Sequence, residues 1–323
     1  MLNKLKGSKL LKTLLPLLVG ILFIYLSLNN TTAEDRETIY NAIKSADYRF
    51  ILLSLIMGLL SHFSRAYRWK FMLNPMGYNP RYINSVLAIF ITYIANLGVP
   101  RSGELFRATV LQTYENVPFE KSFGTIIAER TIDLIMLLLT IVVALFLEFD
   151  LIVSFLEKRA ANPYSITAIL IGSIVSIYFF YKQIKKSKNP LAEKITTLFN
   201  GLSEGFLTIV KMEKKAAYLL HTLFIWAMYI AMFYTIKFSI PETQSLVFEA
   251  LLIGFIVGAL TISATNGGIG IYPFSVSLVL ISYGISIESS LAFGWIMWTA
   301  QTVMVILFGS ISFFLLPLVN RKN

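Results

Sequence analysis

The sequence predicts an all-α integral membrane protein with about six full transmembrane helices and two re-entrant helical hairpins that enter from opposite sides. The composition is the first observation: 56% of the 323 residues are hydrophobic, 14% are charged and the mean hydropathy is +0.69. A soluble domain is about half apolar and a quarter charged. The second observation is a series of long apolar runs, and the third is a pair of apolar segments that glycine and proline interrupt.

Six apolar runs approach the length of about 20 residues that a bilayer-spanning helix needs. They cover residues 10–28, 50–67, 123–147, 164–181, 216–238 and 289–316. The first run follows a basic N-terminus, as in a signal peptide, but no small-x-small cleavage site closes it, so we expect a retained span. The longest polar stretch, around residues 29–49, is short, and residues 1–323 are therefore predicted to form a single transmembrane domain.

Two further apolar segments are broken in the middle, residues 83–113 at NLGVPRSGE and residues 246–283 at TNGGIGIYP. Such breaks free backbone groups that lipid cannot satisfy, so protein or a water-filled cavity must cover them. If both segments are re-entrant, most of the 28 lysine and arginine residues fall on one side, the cytoplasmic side. This arrangement predicts a multi-pass protein of the cell (inner) membrane with cytoplasmic N- and C-termini. Opposed broken helices form the substrate sites of many transporters.

Residues 189–215 differ from the spans, because apolar side chains alternate there with Lys, Glu, Thr and Asn at helical spacing. Asn189 can cap a helix and Pro190 suits its first position. The pattern predicts an amphipathic helix on the cytoplasmic membrane surface. The alternative is a linker helix that packs on the spans.

Charged side chains near the first break and in the following span form the main candidate site. They are Arg101, Glu104, Arg107, Glu129, Arg130 and Asp133. A charge at bilayer depth costs about 2.5–3.5 kcal/mol, so we expect the six to face one another in one polar site. If Pro100 begins a helix, the first three share one face of it. For the first three, the alternative is that they neutralise one another or lie in a surface loop. For the last three, it is a structural ion-pair network that holds the broken helix on its neighbour, and Arg130 can pair with a carboxylate such as Glu104.

The two breaks add polar backbone and amides to this candidate site. Asn96 lies in the first break, and Asn266, Gly267 and Gly268 lie in the second. Glycine permits exposed backbone and close approach of a ligand. The second break follows no strand and lacks Gly-Lys-Ser/Thr, so it is not a nucleotide loop. Residues 254–258 have a small-xxx-small pattern that favours close helix packing.

The remaining ionisable residues have simpler interpretations. His62 and His221 lie on apolar spans, where a structural histidine is expected. Arg65, Arg68, Trp69 and Lys70 are interpreted as an interfacial anchor, with a headgroup contact as the alternative. With no cysteine, no metal-ligand cluster and no Ser-His-Asp arrangement, we expect no metal, no cofactor and no enzymatic activity. The net charge of +10 indicates anionic lipid headgroups rather than nucleic acid.

Three motifs, NLGVPRSGELFR (96–107), AERTID (128–133) and NGGIGIYP (266–273), resemble the lysylphosphatidylglycerol synthase transmembrane family of flippase-like proteins. The likeness covers roughly residues 10–316. It implies a polytopic bacterial or archaeal membrane domain, which in the multi-domain synthases moves the modified lipid across the bilayer. Those synthases carry a cytosolic catalytic domain after the membrane part, whereas this sequence ends at Asn323, so synthase activity is not expected. Tyr272-Pro273 stands where many relatives have an acidic residue.

Three hypotheses of function follow. The favoured one is binding and translocation of an anionic phospholipid or polyprenyl-phosphate-linked lipid through a polar intramembrane cavity. The second is a non-catalytic membrane accessory subunit for a separately encoded lipid-modifying enzyme or glycosyltransferase. The third, a membrane-embedded enzyme that uses Glu129 and Asp133, is the least favoured because the sequence offers no nucleophile or metal set.

Overall fold

A computed structural model describes residues 33–99, 101–149, 212–265 and 267–321 of the chain. All regular structure in these ranges is helical. The predicted spans at residues 10–28 and 164–181 and nearly all of the predicted amphipathic helix at 189–215 lie outside the described residues. The all-helical prediction is therefore confirmed for the part of the chain that the structure describes.

The helices of the described ranges are α1 (Ala33–Lys44), α2 (Tyr48–Leu73), α3 (Tyr82–Gly98), α4 (Gly103–Glu115), α5 (Phe119–Leu147), α6 (Lys215–Ile236), α7 (Phe248–Ala264), α8 (Ile271–Ser282) and α9 (Ile287–Val319). Within these ranges, four helical stretches are long and apolar enough to cross a membrane. They are Tyr48–Met76, Phe119–Leu147, Lys215–Ser239 and Ile287–Val319. Each contains or overlaps one of the predicted spans.

The chain divides into two compact units. The main unit comprises residues 1–126 and 216–323, and the second unit comprises residues 127–215. Helix α5 begins in the main unit and continues into the second. The other helices named above belong to the main unit, apart from Lys215 at the start of α6.

Helices α3 and α4 form the first helical hairpin. Arg81, immediately before α3, donates to the carboxylate of Glu115 at the end of α4 over 3.3 Å, and Asn84 donates to the same oxygen. At the tip, a Cβ on Gly103 would lie 2.1 Å from the carbonyl oxygen of Thr92, so only glycine fits there. The two helices are therefore antiparallel, and both open ends of the hairpin lie together.

Helices α7 and α8 form the second hairpin. A Cβ on Gly258 would lie 2.6 Å from the ring of Tyr272 on the opposite helix. Glu242, before α7, accepts hydrogen bonds from the backbone N–H (2.8 Å) and hydroxyl (2.6 Å) of Ser286, after α8. The open ends of this hairpin also lie together. The predicted packing role of residues 254–258 is confirmed, since Gly254 faces the ring of Phe233.

The two hairpins pack on different halves of helix α9. On its N-terminal half, a Cβ on Gly294 would lie 2.7 Å from the Cα of Pro273 in α8. On its C-terminal half, a Cβ on Gly309 would lie 2.6 Å from the Cβ of Ile94 in α3. At 1.5 Å per residue, the two contacts are about 22 Å apart along the helix. The open ends of the hairpins thus point to opposite ends of α9.

Helices α2 and α6 are antiparallel neighbours. The N–H of Asp47, which precedes α2, donates to the carbonyl of Ser239 just beyond α6 over 2.9 Å. Near the other end, the hydroxyl of Ser64 lies 2.8 Å from Nδ1 of His221. The hydrogen bond of His221 agrees with its predicted structural role.

Replacing Gly294 with alanine should destabilise the protein by about 1–3 kcal/mol. The added Cβ would clash with the backbone of Pro273, which cannot move aside as a side chain can. Gly124 on α5 is the matched control, since a Cβ there would meet no atom within 4 Å. The control should be neutral or slightly stabilising, because alanine is the better helix former. Thermal unfolding midpoints in detergent measure both variants; equal midpoints would contradict the close contact between α8 and α9.

The closure of the second hairpin should depend on pH through Glu242. Desolvation raises the pKa of its carboxyl, but the hydrogen bonds from Ser286 and Ser289 outweigh that effect and hold the pKa below its ordinary value. The carboxylate therefore contributes stability above its unfolded-state pKa, and this contribution is lost as the pH falls through the folded-state pKa. The difference in unfolding midpoint between the wild type and Glu242→Gln should shrink between about pH 7 and about pH 3. A difference that stays constant would refute this linkage.

Candidate functional site

The first break joins α3 to α4, and several of its backbone groups have hydrogen-bond partners within the hairpin. The N–H of Val99 donates to the carbonyl of Ala95 over 3.0 Å and so closes α3. The hydroxyl of Ser102 donates to the same carbonyl over 3.1 Å. The N–H of Gly103 donates to Oδ1 of Asn96 over 2.8 Å. The predicted headgroup residue Asn96 therefore has a structural task, which is to cap the first turn of α4.

Arg101 lies in this break and not on a helix, so the prediction that it shares a helical face with Glu104 and Arg107 is wrong. Helix α4 begins at Gly103, where the chain has turned back and the glycine packs against Thr92 of α3. Arg101 is exposed and has a left-handed backbone with φ of 59°. A non-glycine residue pays about 1–2 kcal/mol for that conformation. Pro100, the predicted helix start, lies outside the described residues.

Arg107 is fully buried in the main unit. Its guanidinium carbon lies 3.8 Å from the ring centroid of Trp69 on α2. The indole N–H of Trp69 in turn donates to the hydroxyl of Thr125 on α5 over 2.8 Å. A desolvated cation–π contact stabilises by about 2 kcal/mol. Glu104 precedes Arg107 by one helical turn and is partly buried.

The second break, between α7 and α8, contains three glycines in the left-handed region. The φ angles are 66° for Gly267, 77° for Gly268 and 70° for Gly270, a conformation that glycine adopts readily. The hydroxyl of Thr265 accepts from the N–H of Gly268 over 3.1 Å. The indole N–H of Trp298 on α9 donates to the carbonyl of Gly267 over 2.7 Å. Asn266, a predicted site residue, lies outside the described residues.

The two breaks touch each other beside the middle of α9. A Cβ on Gly267 would lie 2.6 Å from Cδ2 of Leu97, in the last turn of α3. Trp298, which binds the second break, lies 11 residues after the start of the 33-residue helix α9 at Ile287. The structure therefore brings the neighbourhood of Asn96 together with Gly267 and Gly268, as the candidate site requires.

The second unit contains the other three predicted charges. Glu129 is fully buried on α5. Nη1 of Arg130 lies 3.6 Å from Oδ2 of Asp133, one turn later on the same helix. Arg130 thus has an ion pair within its own helix. Its pairing with Glu104, and the meeting of all six charges in one site, stay predictions.

Two buried arginines were misassigned by the sequence interpretation. Arg65 and Arg68 of α2 are 3% and 0% exposed, so the predicted interfacial anchor is wrong for both. Arg68 donates to the hydroxyl of Thr222 over 2.8 Å, and Arg65 donates to the hydroxyl of Tyr229 over 3.2 Å. The sequence signal for their burial was the spacing of three residues between them within an apolar helix.

Comparison with known proteins decides the family. Residues 13–309 match the model of the lysylphosphatidylglycerol synthase TM region. The chain belongs to this family. The resemblance that the three motifs predicted is thereby confirmed.

Three curated proteins are similar to the chain, two of them over most of its length. A UPF0104 membrane protein of Methanocaldococcus jannaschii is 24% identical over 323 residues, which cover 94% of this chain and 86% of the relative. A UPF0104 membrane protein of Pyrococcus horikoshii is 24% identical over 271 residues, covering 76% of this chain and 80% of the relative. The glycosyltransferase AglD of Haloferax volcanii is 27% identical over 121 residues, which are 37% of this chain and 19% of AglD.

The contact between the two breaks can be tested by cross-linking. The chain has no native cysteine, so Leu97→Cys with Gly267→Cys introduces the only two thiols. A short bifunctional thiol reagent should join them in membranes, and protease cleavage between the positions should leave the fragments linked. Leu97→Cys with Ile287→Cys is the control, because Ile287 begins α9 far from its middle. Equal cross-linking of both pairs, or of neither, would contradict the contact.

Proposed function

We propose that this protein binds the phosphate-bearing headgroup of an anionic lipid within the membrane and moves the lipid between leaflets. The lipid class is a phospholipid or a polyprenyl-phosphate-linked lipid. The observation that carries the proposal is the contact between the two helix breaks beside α9, which brings the polar backbone of both breaks together, with Arg101 in the first break. Transporters commonly bind their substrates where opposed broken helices meet.

The proposed architecture is six full spans with two re-entrant hairpins in the inner cell membrane, both chain termini being cytoplasmic. Two features of the hairpins support it. The open ends of each hairpin lie together. Their helices have 17, 13, 17 and 12 residues, or about 18–26 Å, shorter than the hydrocarbon core of about 30 Å.

The proposed headgroup chemistry follows from side-chain type. Guanidinium groups bind phosphate bidentately, which suits Arg101 and Arg107 of the main unit. Glu104 would hold these arginines or engage a cationic headgroup, as on an aminoacylated lipid. The acyl or prenyl tails would stay in the bilayer while the headgroup passes along the breaks. Such transport needs no catalytic residue and no cofactor, and we propose that the protein is not an enzyme.

A second candidate function is supported by one comparison. The stretch of 121 residues shared with the glycosyltransferase AglD favours a membrane accessory subunit that works with a separately encoded glycosyltransferase or lipid-modifying enzyme. On this hypothesis the chain binds the lipid and presents it to the enzyme. It predicts co-purification with a soluble enzyme and no lipid movement by the chain alone.

Translocation should depend on Arg101. In liposomes with fluorescent phosphatidylglycerol, Arg101→Ala should slow lipid movement at least about tenfold, the loss expected for about 1.4 kcal/mol of phosphate binding. Arg101 is a better target than Arg107, because Arg107 also packs against Trp69. Arg49→Ala is the matched control, since its side chain is 91% exposed at the start of α2.

The outcomes separate the hypotheses. Wild-type rates in a folded Arg101→Ala variant would refute the assignment of Arg101 to the site. No movement of any lipid by folded wild-type protein would refute translocation, and capture of a soluble transferase by the same preparation would favour the accessory function.

A further inference from the structure

On the basis of the proposed function, we infer that Gln301 and Thr302, in the middle of α9, bind hydroxyl groups of the lipid headgroup. The ligand class is an anionic lipid whose phosphate carries a hydroxyl-bearing alcohol, either glycerol or a sugar. Arg101 would contact the phosphate, as proposed above, and the two α9 side chains would select the alcohol attached to it.

Helix α3 ends before it reaches the middle of α9. Asn84 at the start of α3 donates to the C-cap residue of α9 over 2.9 Å, and Ile94 packs on Gly309, so the two helices are antiparallel. Beyond Ile94, α3 continues for only about 6 Å to Gly98. From Gly309 back to Trp298, α9 extends for about 16 Å. Part of that stretch of α9 is therefore not covered by α3.

Helix α8 also leaves the middle of α9 uncovered. It is antiparallel to α9 and packs on it through its first turn, where a Cβ on Gly294 would lie 2.7 Å from the Cα of Pro273. The second break reaches further along α9, through the hydrogen bond from Trp298 to the carbonyl of Gly267. Residues 299–305 of α9 therefore lie beside the breaks and beyond the ends of both neighbouring helices.

The packed face of α9 is accessible at this level. Gly294, Gly309 and Leu316 lie on this face at helical spacing, and all three are buried. Gln301 and Thr302 lie on the same face but are only half-buried. The face is thus covered towards both ends of the helix and accessible in its middle. This pattern indicates an opening between α9 and the two breaks.

Both side chains in the opening have polar groups available to a ligand. Among the described residues, neither the amide of Gln301 nor the hydroxyl of Thr302 has a hydrogen-bond partner. By contrast, Thr261 of α7 and Thr235 of α6 donate to carbonyls of their own helices. An unpaired polar group within an apolar helix is costly, and a headgroup in the opening would supply the missing partners.

The donors and acceptors of these two side chains favour a ligand with hydroxyl groups. The amide of Gln301 donates through its NH2 group and accepts through its carbonyl, and the hydroxyl of Thr302 does both. The oxygens of an ionised phosphate only accept, so a phosphate alone would leave the amide carbonyl without a donor. A hydroxyl group both donates and accepts, so glycerol or a sugar can pair with each of these groups.

Binding of matched lipids to the full chain in detergent tests the inference. Short-chain phosphatidylglycerol and phosphatidylethanol carry the same phosphodiester charge, but only the first has hydroxyl groups on its headgroup. The readout is the apparent Kd from the rise in unfolding midpoint with lipid concentration. The wild type should bind phosphatidylglycerol at least about tenfold more tightly, because a site built for a hydroxyl group discriminates against an analogue without it.

Substitutions on α9 connect that preference to the two side chains. Gln301→Leu and Thr302→Val should each lower the preference at least about threefold and leave the Kd for phosphatidylethanol unchanged. Thr302→Ser keeps the hydroxyl and should keep the preference. Thr299→Val is the matched control, because Thr299 is exposed on another face of α9.

A second pair of lipids separates the two sources of hydroxyl groups. A short-chain phosphoprenol with and without an attached glucose repeats the comparison for a sugar. A larger gain in affinity from glucose than from glycerol would support the inference with a glycosylated lipid as ligand. A larger gain from glycerol would support it with a glycerophospholipid.

Two results would overturn the inference. One is equal affinity of the wild type within both pairs of lipids. The other is an equal loss of affinity for lipids with and without hydroxyl groups in the variants, because the side chains would then only position the helices. Should Gln301→Leu and Thr302→Val not fold, phosphatidylglycerol with a photoactivatable group on its headgroup is used on the wild type. Labelled peptides covering 294–305 support the inference, and labelling elsewhere alone overturns it.

The inference and the proposed function fail on different results. A wild type that prefers hydroxyl-bearing lipids through Gln301 but moves no lipid in liposomes would contradict translocation and leave the binding position intact. A wild type that moves phosphatidylglycerol and phosphatidylethanol equally well, and binds them equally, would remove the selection by α9 and leave translocation standing.

Discussion

A helix that ends within a packed protein leaves backbone N–H and C=O groups that need partners, and this requirement governs the two breaks of the main unit. At the first break, Asn96 and Ser102 hydrogen-bond the backbone from within the hairpin. At the second, Thr265 contributes from the same hairpin, whereas Trp298 reaches across from α9. The second break is therefore tied to α9, and the glycines at 294 and 309 allow both hairpins to pack closely on that helix.

The same constraint explains why polar chemistry concentrates where it does. Once the breaks are covered by protein, polar and charged groups can lie at membrane depth without facing lipid. Arg101 is exposed at the first break, while Arg107 is buried against Trp69 one to two turns into α4. Arg65 and Arg68 are likewise buried, where α2 meets hydroxyl groups of α6.

Much of the fold follows from patterns within single segments, whereas the site depends on contacts between distant ones. Apolar runs predicted the apolar helices near residues 50–67, 123–147, 216–238 and 289–316, and glycine and proline located both breaks. The start of α4 at Gly103 could not be predicted, because it depends on the approach of that glycine to Thr92. The burial of Arg65 and Arg68 likewise depends on α6, more than 150 residues away. The family could be predicted because each of the three motifs that resemble it lies within a single short segment.

The central claim is that the helix breaks form a polar, lipid-binding position within the membrane. Its most direct test is the reactivity of Arg101→Cys, the sole thiol in that variant, with a membrane-impermeant thiol reagent in proteoliposomes. Val303→Cys is the control, because Val303 is 57% exposed near the middle of α9, on an apolar surface. Arg101→Cys should react and phosphatidylglycerol should protect it, whereas Val303→Cys should not react. An unreactive Arg101→Cys, or one that lipid does not protect, would contradict the account.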